Sequence, residues 1–344
     1  MNLSDCPMRS NNLQLLRFLA SILVIVSHAF ALSTGSNAEE WLIKCTNYQL
    51  TLGGLAVSVF FCAGGFLIAR SMERVKNGPI YFKTRILRIF PLLAVVVFIT
   101  AFILGPCITQ DALGDYFTNP NVYKYLSNAL FILQHDLPGI FLNNVYGSTV
   151  NGSLWTLPVE FLCYIGCYIM WKLNFFDNKN TKFSIPLVAI GSIALFFFVN
   201  FTGLEILLSA LLPILLFYTG ILFYLYRNRI NLTGKGAILC IILLIFSNYL
   251  NLLNIGMIFF FPYILFYLSF AIKQISDRIG KLGNYSYGIY LCAFPIQQVI
   301  VEYFGGHMNP IHNMILSIPL AILCGYVLYI LIEEPISRLG KKYL

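Results

Sequence analysis

Residues 15–28 read LLRFLASILVIVSH. An arginine, Arg17, and a histidine, His28, stand eleven residues apart in an otherwise apolar run. The run belongs to a stretch, 13–33, of the length that crosses a hydrocarbon core about 30 Å thick. Eleven residues at about 100° each come to about 1100°, within about 20° of three full turns. On a helix the two groups therefore share a face, roughly 16 Å apart along the axis. Ionisable groups inside a span are costly and turn towards a cavity or a partner. Taken singly, Arg17 reads as a snorkelling side chain and His28 as an imidazole bonded to a neighbouring helix. Their alignment on one face makes both functional candidates.

The rest of the chain supplies the same solvent. Of 344 residues, 58% are hydrophobic and only 10% charged, with a mean hydropathy of +0.78. A soluble domain carries about 25% charged residues. Apolar stretches of spanning length recur at 13–33, 53–71, 87–106, 154–172, 183–201, 205–226, 235–251, 254–272, 285–303 and 313–332. The mixed segment 122–142, with Lys124, His135 and Asp136, reads as interfacial or re-entrant.

The net charge of +8 invites a nucleic-acid reading, and the position of the basic residues removes it. With the N-terminus in the cytoplasm and the stretches alternating, all of the 22 basic residues fall on the cytoplasmic side except Lys44, Lys124 and Arg17. Such a bias is what the positive-inside rule describes. The expectation is an all-α, polytopic integral membrane protein of about ten transmembrane helices with both termini cytoplasmic. It forms one domain over 1–344, with no separate soluble domain and no nucleic-acid partner.

Most of the nine cysteines lie in spans and read as small apolar groups. No metal site is expected from their spacing. Cys45 and Cys107 fall on the outer side, where a disulfide could join them. The long outer loop 107–153 is rich in Asp, Asn and Tyr, a composition that suits carbohydrate and ordinary loops alike.

Two further clusters accompany the first. NGSLWTLPVEF, 151–161, opens a span from the outer side and places Glu160 about as deep as His28. A carboxylate and an imidazole at one level read as an orienting partner and a general base, or as a structural pair. FKTRILRIFP, 82–91, puts Arg85 and Arg88 at i, i+3, as neighbours on a helix surface. Arg17, Arg85 and Arg88 at one cytoplasmic level suit a phosphorylated anion, because the guanidinium fork donates paired hydrogen bonds.

These stretches, with GGLAVSVFFCAGGFLIARS (53–71), LGNYSYGIYLCAFPI (282–296) and IEEP (332–335), resemble in order the motifs of the membrane-bound acyltransferase 3 family. The resemblance runs from 13 to 338. Two positions depart from it: Ala293 stands where a histidine is usual, and Ala63-Gly64-Gly65 where a serine is common. The resemblance implies transfer of an acyl group, usually acetyl, from cytoplasmic acetyl-CoA to a hydroxyl of a cell-surface glycan. Such glycans include O-antigen (lipopolysaccharide) and exopolysaccharide, and the implied location is a bacterial inner membrane. Arg17, Arg85 and Arg88 would hold the CoA phosphates. His28, oriented by Glu160, would be the catalytic base or the acyl carrier, and Trp155 and Ser153 would line the acceptor site. A lipid-linked or surface glycan and the bilayer are the expected partners, with a homodimer left open. The competing class is a transporter or flippase for a glycan or anionic metabolite, which a buried His/Glu pair would also serve.

Overall fold

The computed structural model describes residues 2–6, 11–176, 180–186, 189–190, 193–194, 201, 205–275 and 283–342. Among them the chain is helical, and its extended pairing is one isolated bridge, Asn2 to Asn231. Six helices are long and apolar enough to cross a membrane: Leu13–Thr34, Leu52–Val75, Gly78–Ile108, Gly152–Lys172, Leu253–Ala271 and Pro310–Leu339. Two shorter apolar helices, Ser209–Leu225 and Gly234–Tyr249, accompany them. The protein is an all-helical, multi-pass membrane protein. Of the 19 residues of the expected span 183–201, ten lie outside the described residues.

The longer helices are α1 (Leu13–Thr34), α2 (Leu52–Val75), α3 (Gly78–Ile99), α4 (Thr156–Lys172), α5 (Glu205–Leu225), α6 (Gly234–Tyr249), α7 (Leu253–Phe266), α8 (Ser286–Tyr303) and α9 (Pro310–Leu328). Their ends are set by local chemistry. α1 stops at Gly35, whose φ of 79° takes the left-handed conformation that closes a helix, its N–H bonding Ala31 O. Thr51 caps α2 by accepting from Gly54 N, and Asn77 caps α3 by accepting from Ile80 N. That second cap explains a difference from the expected span at 87–106. Capped at Asn77 with Pro79 in its first turn, α3 begins at Gly78 and carries the basic stretch 82–91 as helix, so Arg85 and Arg88 stand well inside it.

α3 and α9 each continue through a wide π turn, Thr100–Leu104 and Tyr329–Glu333. π turns often mark functional places in a helix. The segment 122–142 is no spanning helix. It contains a short helix, Pro120–Lys124, and a 3₁₀ turn, Tyr125–Leu130, followed by irregular chain. The buried Asn128 ties it together, donating to Tyr125 O and Gln134 O and accepting from Gln134 N.

α2 and α5 pack most extensively. Glycines make the approach: a Cβ at Gly65 would lie 1.9 Å from Phe217 O, and one at Gly220 would lie 2.1 Å from Cys62 O. Small residues at such crossings let backbones meet, and in lipid that contact drives helix association. Gly65 therefore has no room for a side chain. Next to it, a Cβ at Gly64 would meet only the Phe217 ring at 3.6 Å. Gly65→Ala is expected to lower the stability of the detergent-solubilised protein by on the order of 1–3 kcal/mol. Gly64→Ala is expected to leave it within about 0.5 kcal/mol. Thermal unfolding of the two variants side by side checks the contrast, and equal melting would remove the steric argument.

Candidate functional site

Three cavities line up beside α1. The first, of about 500 Å³, is lined by Arg17, Arg74, Arg85, Arg88, Gln14 and Glu333. The second is a narrow throat of about 60 Å³, lined by Arg17, Arg88, Glu160, Tyr164, Tyr287 and Tyr290. The third, of about 780 Å³, is lined by His28, Ser153, Trp155, Asn37, Gln49 and Tyr290. Arg17 and Arg88 border both the arginine cavity and the throat, and Tyr290 borders both the throat and the histidine cavity. The eleven-residue spacing that opened the sequence thus runs the length of one column, with Arg17 at one end and His28 at the other.

The arginine cavity is built for an anion. Four guanidiniums face one carboxylate, Glu333. The ion pairs among the described residues are Lys44–Glu39, Arg227–Glu73 and Arg338–Glu334, and none of them uses these arginines. Arg85 is steered by its Nη2 bond to Ser71 Oγ, at 3.0 Å, and lies over the Tyr81 ring. Arg17 lies 5.9 Å from the centre of the Phe60 ring. Glu333 Oε1 and Gln14 Oε1 are buried without a hydrogen-bond partner among the described residues. Four guanidiniums against Glu333, with Glu160 beside Arg17 and Arg88 in the throat, leave this chamber with an excess of positive charge.

The histidine cavity has a different character. His28 Nδ1 is buried without a partner, and the ring meets the edge of Phe294 at 5.2 Å and 76°. Ser153 Oγ and Asn37 Oδ1 are also buried and unpartnered. Asn151 fixes the turn that presents Ser153 and Trp155, accepting from Ser153 N and donating to Leu291 O. Glu40, buried in the loop after α1, accepts from Ser27 Oγ at 2.6 Å and from Leu52 N. That clamp holds α1 beside His28 against the start of α2. Residues that line this chamber thus carry buried polar atoms with no partner, and such groups call for an explanation in function.

The expected pairing of His28 with Glu160 does not form. The two residues line different cavities, and Glu160 accepts instead from Tyr164 OH one turn along α4. Level explains the error. The α4 residues that share the cavity of His28 are Ser153 and Trp155. Glu160 follows Trp155 by five residues, about 7.5 Å deeper. The expected grouping of Arg17, Arg85 and Arg88 does form, as does that of His28, Ser153 and Trp155. Arg74, Glu333 and Tyr290 were missed. A charge at the end of the last apolar stretch signalled Glu333; nothing local distinguished Arg74 from ordinary basic flanking residues. Cys45 and Cys107 are exposed free thiols, so the disulfide considered between them is not made. Cys163 and Cys167 are buried in packing.

Comparison with known proteins gives this geometry a family. The acyltransferase 3 profile, an acyltransferase domain, matches residues 10–330. The chain is 30% identical to an O-acetyl transferase of Shigella phage Sf6 over 95% of its own length and 96% of the relative's. It is 25% identical to nodulation protein 10 of Rhizobium leguminosarum bv. viciae, over 67% of this chain and 63% of that one. It is also 24% identical to the O-acetyltransferase OatA of Staphylococcus aureus, over 88% of this chain and 55% of the longer relative. No solved structure matches the chain. With the profile covering nearly all of the column-forming helices, the chain belongs to the acyltransferase 3 family.

Proposed function

We propose that the protein transfers an acetyl group from cytoplasmic acetyl-CoA to a hydroxyl of a bacterial cell-surface glycan, O-antigen or exopolysaccharide. The observation that carries this reading is the column: a cationic cavity, a narrow throat and a polar cavity holding a histidine, joined through shared walls. Arg17, Arg74, Arg85 and Arg88 bind the phosphates of the donor. Its flexible arm enters the throat and brings the thioester towards His28. His28 takes the proton of the acceptor hydroxyl as that oxygen attacks the thioester carbonyl. The C–O bond forms, the C–S bond breaks, and the proton leaves with the CoA thiol. Ser153 and Trp155 contact the acceptor. Glu160 belongs to the throat, beside Arg17 and Arg88, and acts there and not on His28.

A donor on one side and an acceptor on the other require an orientation. We assign ten spans with both termini in the cytoplasm of a bacterial inner membrane, and the arginine cavity facing inwards. The basic loops support this assignment. It predicts that a membrane-impermeant maleimide applied from outside reacts with Cys45 and Cys107, both exposed. Labelling that persists in the Cys45→Ser, Cys107→Ser double variant, or that requires permeabilised cells, would reverse the orientation. A flippase is the weaker reading, because a sugar ring is wider than an extended donor arm and the throat is the tight part of the route.

The enzyme assay separates the two. Membranes receive acetyl-CoA labelled in the acetyl group and a lipid-linked glycan fraction, and label is followed into alkali-labile glycan ester. Ester formed by the wild type and lost in His28→Ala supports the proposal. Ester formed equally by both removes His28 from the chemistry.

A further inference from the structure

We infer that Tyr290 is the aperture that fixes the cross-section of the acyl group able to reach His28. The inference rests on the proposed function and adds a specificity determinant to it. The throat and the histidine cavity meet at two residues, Val57 and Tyr290, which line both. Of these, Tyr290 presents the larger and more firmly held side chain. Its hydroxyl donates to Ser153 O at 2.8 Å and stands 2.7 Å from Thr156 Oγ1. Those bonds tie α8 to the turn that opens α4. The Phe60 ring meets the Tyr290 ring edge-on at 6.0 Å, and Phe60 in turn faces Arg17. Only 8% of Tyr290 is exposed. An aromatic ring bonded at its tip and packed on its side does not swing aside at low cost.

The volumes on either side say what such a ring controls. Beyond it the histidine cavity, at about 780 Å³, has room for a long acyl tail. Before it the throat, at about 60 Å³, is the tight part of the route. A thioester entering from the arginine cavity leads with its acyl tail, so the obstacle is the tail's width and not its length. Straight acyl groups share the cross-section of acetyl. A branch beside the carbonyl widens the group where it must pass the ring. One surplus methyl in a close-fitting apolar site costs about 10–200-fold in rate.

The decisive comparison uses two isomers of equal composition, butyryl-CoA and isobutyryl-CoA, with acetyl-CoA as reference and one glycan acceptor. Wild type is expected to use butyryl-CoA at least about tenfold faster than isobutyryl-CoA. Tyr290→Phe keeps the ring and is expected to keep that ratio. Tyr290→Leu and Tyr290→Ala, purified and monodisperse, are expected to bring the two isomers within about twofold, Leu guarding against poor folding of Ala. The inference is overturned if wild type uses both isomers equally or neither, or if the Leu and Ala variants keep the wild-type ratio. It is also overturned if both folded variants lose acetyl transfer, since the ring would then serve the reaction itself. Absence of ester from acetyl-CoA in wild type overturns the proposed function, and this inference with it.

Discussion

His28→Ala is expected to lower acetyl ester formation by roughly two to four orders of magnitude, the contribution of a positioned general base. The donor's affinity is expected to stay within about twofold, because His28 lines the histidine cavity and not the arginine cavity. That separation makes the result interpretable. A variant that had merely misfolded would lose donor binding as well. The substitution removes a ring packed against Phe294, so some loosening of that wall accompanies it. Added imidazole offers a second check. A chamber of about 780 Å³ admits it easily, and partial recovery of ester formation in His28→Ala is the expected outcome. Unchanged turnover in the variant would rule out His28 as base and carrier alike.

The second large effect concerns the donor. Arg88→Ala is expected to raise KM for acetyl-CoA about 10–100-fold, the loss of one or two charge-assisted hydrogen bonds to phosphate. Arg88→Lys is expected to recover only part of this, since an ammonium lacks the planar fork. Arg17→Ala should act on both constants, because Arg17 borders the arginine cavity and the throat and is in line with His28 on α1. Initial rates across a donor series separate KM from kcat for each variant. A KM that does not move in Arg88→Ala would remove phosphate binding from that cavity.

Much of this arrangement was legible from residue spacing. A helix keeps register over eleven residues, so the positions of Arg17 and His28 on one face followed from arithmetic on the chain. Arg85 and Arg88 likewise needed only the i, i+3 rule. The failures occurred where two helices had to be compared. Placing Glu160 level with His28 assumed that α1 and α4 end at the same height. The turn from Gly152 to Trp155 precedes α4 and occupies the level of His28 instead. Span ends were also misread where polar residues sit inside helices: the cap at Asn77 carries α3 through Lys83, Arg85 and Arg88, which a hydropathy window treats as loop. The contact of Gly65 with Phe217 O was invisible for the same reason, since it depends on a partner helix more than a hundred residues away. Sequence periodicity describes one helix at a time. Lateral order and relative height are properties of packing.

The throat has a consequence for the membrane as a permeability barrier. A protein hollow on both sides of a bilayer risks short-circuiting the gradient that the membrane maintains. Here the two large cavities are separated by a space of about 60 Å³ whose walls include Arg17 and Arg88, neither held in an ion pair among the described residues. Fixed positive charge at a constriction repels cations and protons. On the proposed function, the same arginines that bind the anionic donor also guard against leakage, and the narrowness inferred to select the acyl group also keeps the hollow column from becoming a channel.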